Sequence, residues 1–215
     1  MIWLTSDTHF GHANIIKYCA RPFADTDEMD AVLIKNWNER VAEDDIVYHL
    51  GDFAWGTIGY WERIREKLNG EIHLIIGNHD ERFLSNDRMK NMFREITYQK
   101  RIWYGKKCLY LNHYPFLCFG GAYKGLDAVW QAFGHVHSNN RSEIGLDHKR
   151  LIHCFPTQYD VGVDNNDFRP ISIEEFAKIM ENRMMSLGMY SSDCSSHKYT
   201  EEDLKKFKQN ESLAK

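Results

Sequence analysis

Seven residues of this chain have the types and spacing to do chemistry together: Asp7, His9, Asp52, Asn78, His113, His135 and His137. Each follows an apolar run. Residues 2–5 lead to Asp7-Thr8-His9, residues 46–50 to Gly51-Asp52, and residues 72–76 to Gly77-Asn78-His79-Asp80. Residues 108–111 lead to Asn112-His113, and 128–133 to Gly134-His135-Val136-His137. A strand that ends in carboxylate, carboxamide or imidazole puts polar groups where a sheet meets solvent, the edge at which open α/β sheets build their sites. These donors suit borderline or hard divalent ions such as Mn, Fe, Zn or Ni, and the absence of Cys from the set argues against a soft thiolate site. Seven donors are too many for one tetrahedral ion and enough for two ions that share a carboxylate, as in two-metal hydrolases. Two carboxylates against two divalent ions leave a surplus of about two positive charges, which favours an anionic substrate such as phosphate.

The elements that must position these residues are legible in outline. After the 10–23 loop, Thr26 or Asp27 can cap a helix whose first turn is acidic, as the helix dipole prefers. Met29, Val32, Leu33, Trp37 and Val41 recur on one face of it. Further helices are expected over about 60–68, ending at Asn69-Gly70, and around 86–93. The order β-α-β-α-β-α in the first half predicts right-handed crossovers and a largely parallel sheet. In the second half, 97–103 and 108–111 read as a hairpin, and 151–155 with 159–163 as two antiparallel strands. Ser172 and Glu175 form a capping box for a helix running to about Met184. Residues 186–197 read as a Ser-rich linker, and Thr200 or Asp203 as the cap of a short charged terminal helix.

Composition bounds the rest. The 215 residues can bury a substantial core, and 43% hydrophobic with 27% charged residues is the balance of a soluble globular protein. No apolar run approaches the roughly 18 residues of a membrane span, so no membrane partner and a cytoplasmic location are expected. The 31 acidic against 27 basic residues give a net charge of −4 and no overall basic footprint for nucleic acid, although a local basic groove stays open. The five cysteines, Cys19, Cys108, Cys118, Cys154 and Cys194, are odd in number and include no C-x-x-C pair, which fits a reducing compartment.

The ordered set D-x-H, G-D, G-N-H-D, H and G-H-x-H resembles the calcineurin-like metallophosphoesterases over about residues 1–185. The resemblance implies an α/β fold: a two-sheet β-sandwich flanked by helices, in four α/β/β/α layers. Residues 1–185 would form that domain and 186–215 a linker and charged tail. It further implies that Asp7, His9 and His137 hold a first divalent ion and Asn78, His113 and His135 a second, with Asp52 bridging. His79 would be the non-ligand imidazole that stabilises the transition state or protonates the leaving oxygen, and Asp80 would orient it. A metal-bridged hydroxide would attack the phosphate ester, with Mn the first choice of metal. The Arg that protein Ser/Thr phosphatases carry after the bridging Asp is missing, since Phe53-Ala54-Trp55-Gly56 follows Asp52. Trp55 stands where purple acid phosphatases have a Tyr ligand. What remains is similar to the small bacterial, archaeal and phage-type phosphoesterases, some of which cleave phosphodiesters or cyclic nucleotides.

Other residues carry weaker signals. His12 and Arg21 are candidate substrate-phosphate contacts, against an exposed-loop role for the first and a capping or surface role for the second. His49 and His73 read as structural, and His148 and His153 as neighbours of the last site loop. Trp55, Tyr60, Trp61, Phe116, Phe119 and Tyr123 could line a nucleobase pocket or belong to core and rim. A phosphomonoesterase on the same site and a non-catalytic metal-binding scaffold are the alternatives. A metallo-β-lactamase site is excluded, because His135-Val136-His137-Ser138-Asn139-Asn140 lacks H-x-H-x-D-H.

Overall fold

A computed structural model describes residues 1–121, 129–138 and 154–186. Strands β1 (Ile2–Thr5), β2 (Ile46–His49), β3 (Glu71–Ile75) and β4 (Glu95–Thr97) run parallel, and β9 (Ile171–Ser172) pairs antiparallel with β1. Their order is β4-β3-β2-β1-β9. The second sheet contains β5 (Gln99–Tyr104), β6 (Lys107–Asn112), β7 (Val129–Phe133) and β8 (Gln158–Asp160), in that order. There β5 and β6 form an antiparallel hairpin, whereas β6, β7 and β8 are parallel.

Alternation along the strands explains the two cores. Leu4, Leu50 and Ile75 of the first sheet meet Ile102, Leu109, Leu111, Trp130 and Ala132 of the second. Trp3, Val47, Ile72 and Leu74 point the other way, into a core with Met29, Leu33 and Trp37 of helix α2 (Thr26–Asn38) and Trp61 and Ile64 of helix α3 (Ile58–Arg65). A sheet covered on both faces needs near-continuous apolar strands, and that is why the runs were conspicuous. Each fully buried large side chain contributes roughly 1.5–3 kcal/mol. Helix α1 (Ala13–Tyr18) lies in the first site loop, and helix α4 (Asp87–Met92) follows the third. Helix α5 (Ile173–Ser186) closes the domain by inserting Phe176, Ala177 and Met180 into the inter-sheet core. Its capping box forms as read, with Glu175 N–H donating to Ser172 Oγ (3.1 Å) and Ser172 N–H to the Glu175 carboxylate (2.8 Å).

The two-sheet α/β architecture and the parallel first half match the expectation, and several details do not. Thr97 belongs to β4 at the edge of the first sheet, so the hairpin begins only at Gln99. Of the antiparallel pair expected over 151–163, the described residues show Phe155 outside any strand and β8 joined to β7 in parallel. Val163 starts a 3-10 turn instead of ending a strand. The cap of α2 is Asp25, whose side chain accepts from Glu28 N–H. The expected strand residues 151–153, the 186–197 linker beyond Ser186, the terminal helix, Tyr123 and His148 lie outside the described residues. Among the described residues, no helix is long and apolar enough to cross a membrane.

Candidate active site

The loops after β1, β2, β3, β6 and β7 meet at one edge of the sandwich. Asp7 N–H donates to Gly51 O (2.9 Å) and His9 N–H to Asp52 O (3.0 Å), so the first two site loops continue the pairing of their strands. Gly134 N–H donates to His113 O (2.9 Å), and Val163 N–H to Ser6 O (3.0 Å) ties the two sheets together. Two glycines allow the loops to approach. A Cβ on Gly77 would collide with the Asp52 carboxylate, and one on Gly134 with Ser6 and Asp7.

Five of the candidate residues hold left-handed backbone: Asp7 (φ 57°), His9 (50°), Asp52 (58°), His135 (71°) and His137 (47°). Each costs on the order of 1–2 kcal/mol relative to ordinary conformations, and such residues persist only where the surroundings over-determine them. Concentration of this strain in the site loops marks them as shaped for chemistry rather than for folding.

The side chains form two groups whose donor atoms all lie within 4.8 Å of one another: Asp7, His9 and His137, and Asp52, His113 and His135. Asp52 lies between them, its Oδ2 being 3.5 Å from His9 Nε2 and 3.5 Å from His113 Nε2. His113 Nδ1 is 2.7 Å from the Leu50 carbonyl, which can only accept, so Nδ1 carries the proton. Burial, partly opposed by Asp7, holds the His113 pKa down at about 4, and the ring is neutral. Its Nε2 lone pair then faces Asn78 Oδ1 (3.1 Å) as well as Asp52. His113 Nε2, Asn78 Oδ1 and Asp52 Oδ2 thus converge on one place. In the other group, Asp7 Oδ1 and His9 Nε2 are buried without any hydrogen-bond partner. Burial, followed by the charges of His137 and Arg21, keeps His9 neutral by pushing its pKa well down. Burial and then the neighbouring Asp7 and Asp80 push Asp52 up to about 8. Lone pairs without a partner and a buried carboxylate that resists ionisation among other acceptors fit a donor set for cations.

His137 is oriented from behind. Asp164 Oδ2 lies 2.7 Å from His137 Nδ1 and accepts from Arg21 Nη2 at 2.8 Å, while Arg21 Nε donates to Oδ1 at 2.9 Å. Burial works against the Asp164 anion, but Arg21 and His137 outweigh it and hold its pKa far below the carboxylate range. His137 Nε2 is thereby turned toward Asp7 Oδ1, 3.7 Å away. Cys19 joins His137 and Asp164 in a third compact group, but there both carboxylate oxygens are already engaged by Arg21 and His137.

Two of the candidate residues sit otherwise than expected. The Arg21 side chain is fully buried, and its guanidinium donates to Asp164, Thr8 O, Asp7 O and Met29 Sδ. The Asp80 carboxylate accepts from the backbone N–H groups of Gly77 (2.8 Å), Asp52 (2.8 Å) and Phe53 (3.0 Å), clamping the second and third site loops together. His79 itself is half-buried, with Nε2 3.9 Å from Asp52 Oδ2 and its backbone N–H donating to Asp52 Oδ1. His12 is 8% exposed rather than a free loop residue; its Nδ1 is 3.3 Å from His9 Nδ1, and its ring stacks on Trp55. Trp61 and Phe119 are buried in core clusters, Phe116 packs against one, and Tyr60 hydrogen-bonds Asp30, so among the described residues of that aromatic set Trp55 is the one at the site. His49 is structural, bridging Gly51 N–H and Thr8 Oγ1.

Sequence reasoning missed Asp164 and Asp160. The second, 3% exposed, accepts from Ser138 N–H and Oγ and from Gly162 N–H, anchoring the loop that carries His137. Asp164 and Arg21 are 143 positions apart, and no local pattern links them.

A family model described as calcineurin-like phosphoesterase matches residues 1–153. The chain belongs to that family. An uncharacterized protein of Methanocaldococcus jannaschii is 38% identical to the phosphoesterase over 182 residues, 84% of this chain and 91% of the relative. The Gene 66 protein of Mycobacterium phage D29 is 34% identical, covering 76% of this chain and 87% of the phage protein. A crystal structure of a protein of unknown function from Aquifex aeolicus superposes with a TM-score of 0.62 at 28% identity, over 83% of this chain and 98% of that one. Membership makes the phosphoesterase a metal-dependent hydrolase of phosphoester bonds, and the family implies a dinuclear divalent centre. The two Asp/His groups fit such a centre.

Proposed function

We propose that the phosphoesterase hydrolyses phosphodiesters of nucleotide-like alcohols at a two-metal centre, with Asp7, His9 and His137 on one ion, Asn78, His113 and His135 on the other, and Asp52 shared. The observation that carries this is the position of Asp52 Oδ2, equidistant at 3.5 Å from His9 Nε2 and His113 Nε2, beside lone pairs that nothing else satisfies. Mn is the first choice of metal, since nitrogen and oxygen donors without thiolate suit it. Residues 1–185 form the catalytic unit, a reading supported by the packing of α5 and β9 back on β1.

When bound, the ions supply Lewis-acid charge that polarises the phosphoryl group and activates a water molecule. The chain's own residues do the rest. Asp80 fixes the relative positions of the Asp52 and Asn78 loops, and Asp164 turns His137 toward Asp7. His79 flanks Asp52 on the open side of the site, where its Nε2 can deliver a proton to the departing alkoxide. The lean toward diesters is supported by the fate of Arg21. A dianionic monoester would gain from a guanidinium fork on its terminal oxygens, and Arg21, the arginine expected there, is wholly engaged inside the fold. The test is hydrolysis of bis-p-nitrophenyl phosphate and p-nitrophenyl phosphate by chelator-stripped protein with Mn²⁺ restored. A higher kcat/KM on the diester is expected; turnover confined to the monoester refutes the lean.

A further inference from the structure

Beyond His79 the site is bounded by a built wall. The Trp55 ring is stacked by His12 (centroids 4.5 Å apart, planes 12° apart) and carries the Arg82 guanidinium 4.4 Å from its centroid. The His79 ring meets Trp55 edge-on at 5.3 Å. The wall is fixed to the metal-site loops, because Trp55 N–H donates to Phe10 O (2.8 Å) and His12 abuts His9. Arg82 stands out among the basic residues near the site. Arg21 is spent on Asp164. Arg82 donates through one nitrogen to Ala54 O (3.2 Å) and, among the described residues, pairs with no carboxylate. An arginine with most of its fork open, held by a tryptophan rather than by an acid, is arranged to receive two oxygens of a carboxylate or phosphate.

We infer that Arg82, seated on Trp55, is a specificity-determining residue that binds a second anionic group on the leaving alcohol, so that the preferred substrates are phosphodiesters whose departing half carries a further phosphate or carboxylate. This deepens the diester reading above and rests on it. Trp55 carries Arg82 on its face and meets His79 edge-on, and His79 stands 3.9 Å from Asp52, so a leaving group that takes its proton from His79 comes within reach of Arg82. Trp55 keeps the guanidinium partly dehydrated and its orientation limited, which strengthens a bidentate hydrogen-bonded pair.

The experiment compares the Mn²⁺-loaded enzyme on two dinucleotides, thymidylyl-(3′,5′)-thymidine and the same compound with a terminal 3′-phosphate, with product release followed by chromatography. The wild type is expected to favour the phosphorylated dinucleotide by about tenfold in kcat/KM, the scale of one charge-assisted contact at a partly exposed site. In Arg82→Ala the ratio falls to about one; Arg82→Lys keeps part of it. Because the readout is a ratio, partial loss of folded enzyme does not alter it. In the wild type, added salt lowers the ratio as well. A ratio that Arg82→Ala leaves unchanged, or a wild type that cleaves bis-p-nitrophenyl phosphate yet shows no preference or cleaves neither dinucleotide, overturns the role of Arg82 alone. An enzyme that binds its metals and cleaves no diester overturns the diester reading, and this inference with it.

Discussion

Asp164→Ala separates the part of the site that folds the chain from the part that holds metal. The Arg21 and Asp164 side chains are 0% and 1% exposed and joined by two hydrogen bonds of 2.9 and 2.8 Å. Removing one member of a buried pair strands the other charge, at a cost of about 3–5 kcal/mol. Arg21 keeps its bonds to Thr8 O and Asp7 O, so the lower end, about 3 kcal/mol, is expected. His137 also loses the acceptor at Nδ1, and loss of such an orienting partner lowers metal affinity about 10–100-fold. Urea unfolding of the metal-free protein gives the first quantity, and a competition titration with Mn²⁺ gives the second. The double variant Arg21→Met/Asp164→Leu replaces the ion pair by apolar bulk and should recover most of the stability while metal affinity stays low. A single variant that unfolds within about 1 kcal/mol of wild type and binds Mn²⁺ normally would falsify the relay from Arg21 through Asp164 to His137.

Other outcomes follow from the same geometry. His79→Ala should retain metal and stability but lose about 10²–10⁴-fold in kcat, and a near-normal kcat removes its role in proton delivery. Asp80→Ala leaves three buried N–H groups unsatisfied and should destabilise the fold by about 3 kcal/mol or more, visible in urea melts before any metal is added; a melt like the wild type's contradicts the clamp. Asp52→Asn should abolish turnover and lower the bound Mn²⁺ per chain, so retention of both ions by that variant argues against sharing. Far from the site, the Asp45 carboxylate accepts from the Met1 ammonium, Ala42 N–H and Trp3 Nε1, which hold its pKa down at about 2. A depressed carboxylate stabilises the fold fully above its unfolded value near pH 4, and that share is lost as pH falls toward 2. Asp45→Asn should flatten the acid limb of a stability–pH profile over that window; an unchanged slope speaks against the pairing.

The central sheet was legible because it is covered on both faces. Trp3 and Leu4 serve different cores yet are both buried, so the strand reads as an unbroken apolar run. Strands of two or three residues, β9 and β4, leave no such trace: tertiary pairing makes them, not local propensity. The register of β8 was hidden for a related reason. Its parallel partner β7 is remote in sequence, whereas proximity favoured an antiparallel neighbour. At the site, residue types and order pointed to the donors, but their left-handed backbone could not be read, since Asp and His carry no positive-φ signature comparable to glycine's. The partners of Arg21 and Asp80 could not be read either, because a charge near a motif looks the same in sequence whether it faces substrate or the backbone. Asp80 meets three N–H groups, and Arg21 a carboxylate 143 positions away.

The most direct test is the metal count set against activity in one sample. Chelator-stripped protein is titrated with Mn²⁺ while bound metal per chain and hydrolysis of bis-p-nitrophenyl phosphate are followed together. A two-metal phosphoesterase gives activity that rises with metal and levels off when two ions are bound. Full activity at one ion per chain, or activity that survives complete removal of metal, contradicts it.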